Sequence, residues 1–550
     1  MDADFIIVGG GSAGCVLANR LSADPGNRVI LVEAGDDGNN FLVSMPAGYG
    51  KTANEFGHSW HYQGEPEPAI GDRRMLLPRG RGLGGSSNIN GLLYVRGQHA
   101  DFDQWSNLGA IGWGWADVAP YFRRSECFAG GGDALRGDAG PLRVEEVRHR
   151  NPTNDRVIAA FGEIGVPATR DYNGDDQFGA FHYQTTVGDG RRCSAADAFV
   201  RPILSRHNLR VITKALCRRV LITDGRATGI EIETQQGIER LQAGREVILS
   251  AGAYHSPKLL MLSGIGPAAH LRNMDIAVVH DSPHVGANLQ DHYILTMGWR
   301  LRAGAYSYNS QLAGGRLLWN VLRYIATRDG PMTIPAAQVG AFVKSDPALD
   351  RPDLQFHCLP VTGDLDAAMR GEKSRLSPWP GLTLAPNVLR PESRGTVELA
   401  NPDPHAVPVI RHNWLSAPED QRLSLRAMRM AHELVATPAL APLVETEVWP
   451  GADCRSDDQL LDHARRFGNT GYHPVGTCRM GIDADAVLDP QLRVKGVAGL
   501  RVIDASVMPR LVSGNTNAAA IMIGEKGADL LLALSGTADG NRRTQARSPP

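Results

Sequence analysis

The chain has 550 residues, of which 42% are hydrophobic, and it contains 62 glycines. This length and composition predict a globular protein of two or three domains with a sizeable core and many turns. The formal net charge is −2. Because no basic excess is available to release counterions from a polyanion, the overall charge argues against a nucleic-acid partner or an anionic-membrane partner.

The N-terminal stretch MDADFIIVGGGSAGCVLANRL predicts a strand, a turn and a helix. The strand is expected at Phe5–Val8 and the helix from about Ser12 to Leu21, and the turn has the spacing G-x-G-x-x-G, formed by Gly9, Gly11 and Gly14. Such a turn lets the start of the helix approach a pyrophosphate. The same spacing also occurs in tight turns that bind no ligand, so the motif alone leaves both interpretations open.

A second expected strand begins at Asn27 and ends in Glu33, nineteen residues after the last glycine of the turn. An acidic side chain at this position is expected to meet a ribose hydroxyl and to repel a 2′-phosphate. The residues therefore favour a cofactor that contains adenosine diphosphate with a free ribose. Both NAD and FAD meet that description.

The cysteines and the apolar segments indicate the cellular compartment in which the protein is expected. Seven cysteines are scattered without a C-x-x-C pair, so we expect reduced thiols. No signal peptide and no run of eighteen apolar residues is evident, so we expect a cytoplasmic protein. The stretch GRLLWNVLRYIATRDG (315–330) is amphipathic. We interpret it as an ordinary core-facing helix, with peripheral contact to the inner membrane as the alternative.

Further along the chain the pattern changes. Between Leu354 and His412, short extended runs separated by proline and glycine predict an antiparallel sheet in a domain of its own. Helical periodicity then returns in SLRAMRMAHELVATPALAPLV and DDQLLDHARRFG. The last hundred residues alternate strand and helix again, which indicates that the C-terminal part rejoins the nucleotide-binding domain.

The run RGRGLGGSSNINGLLYVRG (79–97) contains six glycines, and its apolar part favours a buried loop that presses on a ligand over a flexible surface loop. Together with the N-terminal fingerprint it is one of four blocks that carry a family resemblance. The others are GAYHSPKLLMLSGIG (252–266) and the paired blocks YHPVGTCRMG (472–481) and DASVMPRLVSGNTNAAAIMIGEKGADLL (504–531). With these blocks in this order, the chain resembles the glucose–methanol–choline (GMC) oxidoreductases, a family of FAD-dependent alcohol oxidases and dehydrogenases.

The resemblance implies an α/β fold with an FAD-binding Rossmann-like domain and a substrate-binding domain that contains an antiparallel sheet and helices. It also settles the cofactor as FAD, in agreement with the single dinucleotide fingerprint. The expected ranges are 1–150, 201–300 and 466–535 for the FAD-binding domain, 151–200 for a cover segment of the substrate domain, 301–465 for the substrate-binding domain and 536–550 for a disordered tail.

The resemblance also implies the cofactor-binding residues. Some relatives attach the flavin covalently through a histidine in the glycine-rich loop, where this chain has Ile89, so we expect noncovalent FAD. The residues expected at the FAD pyrophosphate, ribose, adenine, ribityl chain and flavin are Gly9, Gly11, Ser12, Ala13, Gly14, Glu33, Ala34, Arg79, Gly84, Gly85, Ser86, Asn90, Gly91, Val220, Ala251, Asp504, Ala505 and Asn517.

The expected catalytic pair is His473 in GYHPVGT and Asn515 in SGNTNAAA. A neutral imidazole can accept the hydroxyl proton of an alcohol, and an amide N–H can stabilise the developing alkoxide. Most histidines in a chain are structural, and an asparagine before an alanine-rich run is also a good helix cap. The resemblance favours the catalytic interpretation of both residues.

Tyr472 is expected to wall the substrate pocket, with plain packing as the alternative. Cys478 has no adjacent base and is interpreted as a small core residue. No cluster of histidine, cysteine and acidic residues has metal-ligand spacing, so we expect no metal.

Choline-oxidising relatives carry an acid in an E-x-G-x-F segment, and the matching position here is Gln338. A quaternary ammonium group needs a carboxylate and aromatic faces, so the expected substrate is a neutral primary alcohol, with Gln338 in the pocket. Electrons are expected to pass to oxygen or to a quinone-type acceptor. A choline dehydrogenase and an FAD-containing lyase of the same fold are the alternatives, and a noncatalytic scaffold is disfavoured because both expected catalytic residues are present. The sequence leaves the oligomeric state open.

Overall fold

A computed structural model describes residues 2–53, 57–365, 367 and 375–545, with the backbone alone from 534 onward. Its helices, labelled α1 to α13 in chain order, are Ser12–Leu21, Phe41–Ser44, Tyr49–Thr52, His99–Asn107, Trp115–Ser125, Pro152–Glu163, Gly252–Leu262, Ala268–Asn273, Tyr308–Gln311, Gly314–Thr327, Pro418–Val435, Asp457–Phe467 and Asn517–Gln545. Its strands, β1 to β26, are Ala3–Val8, Val29–Val32, Ser59–Gln63, Leu76–Gly80, Glu126–Phe128, Leu142–Glu146, Gly179–His182, Gln184–Thr185, Val187–Gly188, Arg191–Arg192, Leu209–Ile212, Leu216–Thr223, Arg226–Thr234, Gly237–Leu249, Ile265–Gly266, His280–Asp281, Tyr293–Ile294, Met297–Leu301, Val339–Val343, Leu354–Leu359, Gly381–Val388, Thr396–Glu398, Val409–Arg411, Val444–Trp449, Asn469–Thr470 and Leu500–Val502.

The first large sheet is the nucleotide-binding one. Its strand order is β11-β2-β1-β14-β13-β12, and β26 also pairs with β14. The pairs β11·β2, β2·β1, β1·β14 and β14·β26 are parallel, whereas β12, β13 and the first half of β14 form antiparallel hairpins. The four residues of β2 are all buried, as continuous apolar runs are in a parallel sheet covered on both faces.

The second large sheet is antiparallel and has the order β24-β18-β21-β20-β19-β7, with β17 and β25 attached at β21. Its side chains form a separate hydrophobic core with α6 and α11. The expected α/β fold with a Rossmann-like part and an antiparallel sheet is therefore confirmed. The antiparallel sheet is not confined to 354–412, because β7, β18, β19 and β24 come from outside that range, and β22 and β23 pair only with each other.

The amphipathic stretch 315–330 does form a helix, α10, but the expectation that it faces the core is wrong. Only Asn320 and Tyr324 of this helix are buried. Leu318 and Trp319 are 63% and 67% exposed. The sequence pattern shows that this helix has an apolar stripe, but it does not show which side of the helix faces the core. In the structure, the side that carries the polar Asn320 faces inward.

The C-terminal helix α13 is longer than expected. Its backbone is helical to Gln545, so it includes residues 536–545 of the segment that we expected to be disordered, while 546–550 lie outside the described residues. A helix that has already formed extends by one hydrogen bond per added residue, which explains how it continues into a polar sequence. All seven cysteines are free.

Candidate active site

The turn between β1 and α1 has the geometry that its glycines predict. Gly9 has a φ of +102°, and a Cβ there would lie 2.5 Å from the carbonyl oxygen of Ser250. A Cβ on Gly14 would lie 1.9 Å from the carbonyl oxygen of Gly9. By contrast, a Cβ on Gly11 would have a single neighbour within 4 Å, at 3.9 Å. The protein itself requires the first and third glycines, whereas the second faces open space.

The turn lies beside a cavity of about 540 Å³. Most of the residues that the sequence predicted at the cofactor line this cavity, although they come from both ends and the middle of the chain. They are Gly9, Gly11, Ser12, Ala13, Glu33, Ala34, Arg79, Gly85, Ser86, Asn90, Gly91, Ala251, Asp504, Ala505 and Asn517. His473, Asn515 and Tyr472 line the same cavity.

Three predicted cofactor residues do not line the cavity. Gly14 packs against the turn, and Gly84, with a φ of +101°, has the side chain of Asn88 beside it. Val220 is buried in β12, where its N–H donates to the Ser263 hydroxyl. Leu216 and Cys217, at the start of β12, line the cavity instead. The prediction therefore named the correct strand but a residue too far along it.

Gln338 does not lie in the pocket, so this prediction was wrong. Its side-chain oxygen accepts hydrogen bonds from Asn151 at 2.9 Å and from Asn154 at 2.8 Å, and its Nε2 donates to the carbonyl oxygen of His149 at 2.6 Å. The cavity is lined by the preceding Ala336 and Ala337 instead. This buried polar cluster satisfies the amide, which explains why Gln338 points away from the cavity. The residue type at position 338 therefore says nothing about the substrate.

Glu33 is held by the backbone. Its Oε2 accepts from the N–H of Gly10 at 2.9 Å, and its Oε1 accepts from Gly35 at 2.8 Å and from Gly82 at 3.0 Å. The carboxylate thus ties the fingerprint turn to the glycine-rich loop while its side chain still lines the cavity. Charge-assisted bonds of this kind hold a carboxylate firmly in place.

The cavity fits a dinucleotide cofactor. Its wall includes the N-terminus of α1, whose first N–H groups have no acceptor within the helix. At two glycines of this wall, Gly11 and Gly252, the backbone faces open space. A Cβ on Gly252 would meet nothing within 4 Å, and a Cβ on Gly11 would have a single neighbour at 3.9 Å. Asp504 is fixed beside them, since it accepts from the N–H of Gly252 at 2.8 Å and from the Ser256 hydroxyl at 2.6 Å. A flat, phosphorylated ligand can therefore lie directly on the backbone.

The expected catalytic pair is in contact. Nδ2 of Asn515 lies 3.0 Å from Nε2 of His473. The other face of the Asn515 amide is fixed by Gln355, whose Nε2 donates to Asn515 Oδ1 at 3.3 Å. Because the amide accepts through its oxygen, its nitrogen donates to His473, and Nε2 of that imidazole is the acceptor.

A second histidine, His292, fixes the proton on the other side of the ring. His292 Nε2 lies 2.9 Å from the carbonyl oxygen of Leu389, so this nitrogen carries the proton of the neutral ring. Its Nδ1 is then an acceptor, and it lies 2.9 Å from Nδ1 of His473. His473 therefore has its proton on Nδ1 and a lone pair on Nε2, the nitrogen that faces Asn515.

The backbone of this segment is held by a buried acid. Asp291 accepts from the N–H of His473 at 2.7 Å and from the hydroxyl of Thr470 at 2.5 Å. Burial raises the pKa of Asp291 to about 7. The N–H of Tyr472 donates in turn to Thr470, and Tyr472 has a φ of +62°, so the loop before the imidazole follows a strained path that these bonds maintain.

The electrostatics keep the imidazole of His473 neutral. Burial lowers its pKa well below the usual value, and the neighbouring His292, His357 and Arg79 lower it further. Burial also lowers the pKa of His292 to about 4. Arg79 is the cation at this end of the cavity, where its Nη2 donates to the carbonyl oxygen of Tyr472 at 3.0 Å.

Sequence reasoning missed three residues of this site. His292, His357 and Gln355 come from distant segments, and His357 lines the cavity while its Nδ1 lies 2.9 Å from the hydroxyl of Tyr183. A histidine beside an acid in QDHY was the one available signal for His292, and strand alternation in LQFHCL places Gln355 and His357 on one face of β20. Within the described residues, no group of three His, Cys, Asp or Glu side chains could hold a metal ion.

Comparison with known proteins agrees with this geometry. The GMC oxidoreductase N-terminal model matches residues 3–294 and the C-terminal model matches residues 391–524. The chain belongs to the GMC oxidoreductase family. As a member it is an FAD-dependent oxidoreductase that acts on CH–OH donors.

Relatives and solved structures extend over nearly the whole chain. The chain is 42% identical over 540 residues to an oxygen-dependent choline dehydrogenase of Rhizobium etli (strain CIAT 652), with 97% of this chain and 96% of the relative covered. Pyridoxine 4-oxidase from Mesorbium loti is 30% identical with a TM-score of 0.87, and covers 96% of this chain and 98% of its own. A formate oxidase variant from Aspergillus oryzae RIB40 is 28% identical with a TM-score of 0.89 and the same coverage.

Proposed function

We propose that this GMC oxidoreductase oxidises a neutral primary alcohol to the aldehyde, with His473 as the general base and Asn515 as the donor to the substrate oxygen. The observation that carries the proposal is the 3.0 Å contact between these two side chains on the wall of the cavity. The relay through His292 leaves the lone pair of His473 on the nitrogen in that contact.

The residues that would hold FAD come from two distant parts of the chain. The first part supplies the backbone of Gly9, Gly11, Ser12 and Ala13, the side chain of Glu33 and the glycine-rich loop, and the second supplies Asp504, Ala505 and Asn517. We propose noncovalent binding, because Ile89 lines the cavity at the loop and has no atom that could form the bond. When bound, FAD accepts the hydride from the alcohol carbon. The expected division of the chain into FAD-binding and substrate-binding ranges remains part of this proposal.

The protein acts on the hydroxyl group. A substrate hydroxyl that enters between Nε2 of His473 and Nδ2 of Asn515 replaces their direct hydrogen bond. It then gives its proton to the imidazole, while the amide of Asn515 donates to the oxygen as negative charge develops. The lowered pKa of His473 keeps the base unprotonated at neutral pH. Arg79, on the carbonyl of Tyr472, adds a positive field that favours the anionic oxygen.

The charges of the cavity favour a neutral substrate. In the described part of the chain, the carboxylates that line the cavity are Glu33 and Asp504, and both are bonded to backbone N–H groups. Beside His473 the cavity wall carries the cation Arg79, which would repel a quaternary ammonium group, whereas the buried Asp291 does not line the cavity. Choline remains the second candidate, because a relative 42% identical over 540 residues is called a choline dehydrogenase.

Anaerobic reduction of the bound flavin tests the proposal. The holoenzyme is mixed without oxygen with aliphatic alcohols, benzyl alcohol, pyridoxine and choline, and loss of the flavin band near 450 nm is followed. We expect neutral primary alcohols to bleach the band faster than choline does. If no alcohol bleaches it, the oxidoreductase proposal is wrong and the lyase alternative gains support. If choline is the best substrate, the neutral-substrate proposal fails while the oxidation remains.

The role of the base is tested by His473→Ala. Loss of a general base lowers the rate of flavin reduction by about 10²–10⁴-fold. A rate close to that of the unaltered enzyme would remove His473 from this role, and the other two histidines that line the cavity, His357 and His255, would be examined next. The electron acceptor is identified by comparing oxygen consumption with reduction of a quinone analogue, and we propose one of these two.

A further inference from the structure

Helix α10 (Gly314–Thr327) has its apolar side on the outside of the protein. Its two buried residues, Asn320 and Tyr324, are four apart and so share one face of the helix. Asn320 donates to the carbonyl oxygen of Gln311 at 2.9 Å, and Tyr324 packs with Met45 and Met332. The inner face of the helix is thus held by a polar anchor and one aromatic ring.

The outer face is a continuous apolar strip. Leu318, Leu322 and Ile325 have the spacing i, i+4, i+7 and are 63%, 51% and 50% exposed. Trp319 lies beside them and is 67% exposed. Phe41 of the neighbouring α2 is also 46% exposed, and it contacts the ring of Tyr324 at a centroid distance of 6.3 Å. Large contiguous apolar patches on a surface indicate a binding site.

The charges around the strip are positive. The segment 312–328 contains no Asp or Glu and three arginines, namely Arg316, Arg323 and Arg328. Arg316 and Arg323 are exposed, although Arg323 is bonded to Asp329 at 2.8 Å. The net charge of −2 for the whole chain conceals this local excess. Within the described residues, no helix is long and apolar enough to span a membrane.

We propose that α10 docks the protein on an anionic lipid surface, with Leu318, Trp319, Leu322 and Ile325 inserted at the headgroup boundary. An in-plane helix of this kind combines an apolar face, a tryptophan and flanking arginines. The arginines match the negative charge of phospholipid headgroups. A second copy of this chain would instead bring the same arginines against each other across a symmetric interface, which disfavours it as the occupant.

Vesicle binding of the holoenzyme tests the docking. Flotation is measured with vesicles of phosphatidylcholine containing about 30% phosphatidylglycerol and with pure phosphatidylcholine. We expect binding to the anionic vesicles, weaker binding to the neutral ones, and a loss of binding in about 0.5 M salt. In the variant Leu318→Glu/Leu322→Glu we expect binding at least tenfold weaker than in the unaltered protein.

The matched control is Leu204→Glu/Ile238→Glu, which adds the same charge at residues that are 52% and 58% exposed and lie outside α10. It should bind vesicles like the unaltered protein, and both variants should keep the flavin spectrum and dye-linked activity. Absence of binding to anionic vesicles, equal binding by both variants, or a dimer that only Leu318→Glu/Leu322→Glu dissociates would each overturn the proposal. The last result would identify a second copy as the occupant.

Discussion

Replacing His292 with leucine tests the proton relay of the active site. The change removes the acceptor 2.9 Å from His473 Nδ1 and the donor to the Leu389 carbonyl, in a site that is fully buried. The proton on Nδ1 of His473 is then without a partner. The ring can avoid this by carrying its proton on Nε2 instead, and in that form it has no lone pair facing Asn515.

The size of the effect follows from that lost bond. An unpaired buried donor destabilises by about 1–3 kcal/mol. Since about 1.4 kcal/mol corresponds to a factor of ten, the population of the competent tautomer falls by roughly 5- to 150-fold. The rate of flavin reduction at saturating alcohol should fall by the same factor. The dissociation constant of the alcohol should change little, because His292 does not line the cavity.

The assay is stopped-flow reduction of the flavin under anaerobic conditions, measured across pH. The control is His292→Asn, whose side-chain oxygen can replace Nδ1 as the acceptor and so should lose much less activity than the leucine variant. Both variants remove one of the groups that lower the pKa of His473, so the acid limb of the rate should move to higher pH in both.

Two results would refute this reasoning. One is a leucine variant that binds FAD normally and reduces it within about twofold of the original rate. The other is an equal loss in the asparagine and leucine variants, which would show that the acceptor at Nδ1 of His473 is not what matters. A simple packing role for His292 predicts no movement of the pH profile.

Three further predictions concern the oxyanion donor, the turn and His255. Asn515→Ala should slow flavin reduction by about 10²–10³-fold. Gln355→Ala should slow it by less than about tenfold, because the role of Gln355 is to orient the amide of Asn515. Equal losses of rate in stopped-flow traces of the two variants would contradict this ranking. Gly11→Ala should leave the melting temperature of the apoprotein unchanged and lower the FAD content of the purified protein, whereas Gly14→Ala should destabilise the apoprotein itself. The reverse pattern, with stability measured by calorimetry and FAD content by absorbance, would disprove the proposed role of Gly11 in letting the cofactor approach the backbone. Burial lowers the pKa of His255 to about 3, so the unfolded chain binds a proton that the folded chain excludes, and stability is lost as the pH falls below about 6.5. In His255→Gln the loss of unfolding free energy between about pH 7 and pH 4 should be smaller by about 3 kcal/mol, and identical urea titrations for the two proteins would count against it.

The N-terminal part of the nucleotide site could be predicted from sequence because each step is local. The helix was expected at Ser12–Leu21 and occupies those residues, and β1 contains the expected strand Phe5–Val8. The expected pair of His473 and Asn515 is in contact, although the roles of these residues stay predictions. Motif spacing carries this information, since the turn, the helix start and the acid follow one another within a single βαβ unit.

Predictions failed where direction depends on tertiary packing. The apolar stripe of α10 was correctly read as a helix, but its orientation is set by Asn320 and Tyr324 on the inner face. Gln338 was placed by its spacing from a motif, whereas the direction of its side chain is set by Asn151 and Asn154, nearly two hundred residues away. His292 was missed for the same reason, because its partner His473 is 181 positions distant.

The joining of the chain's two ends has a consequence for biosynthesis. The hydroxyl of Ser12 donates to Asn517 at 2.7 Å, Arg20 is bonded to Glu525, and β26 completes the parallel sheet beside β14. A ribosome-bound chain therefore lacks one wall of its cofactor cradle until residues 500–525 have emerged. We therefore expect a polypeptide that stops before Leu500 to purify without the yellow colour of bound flavin.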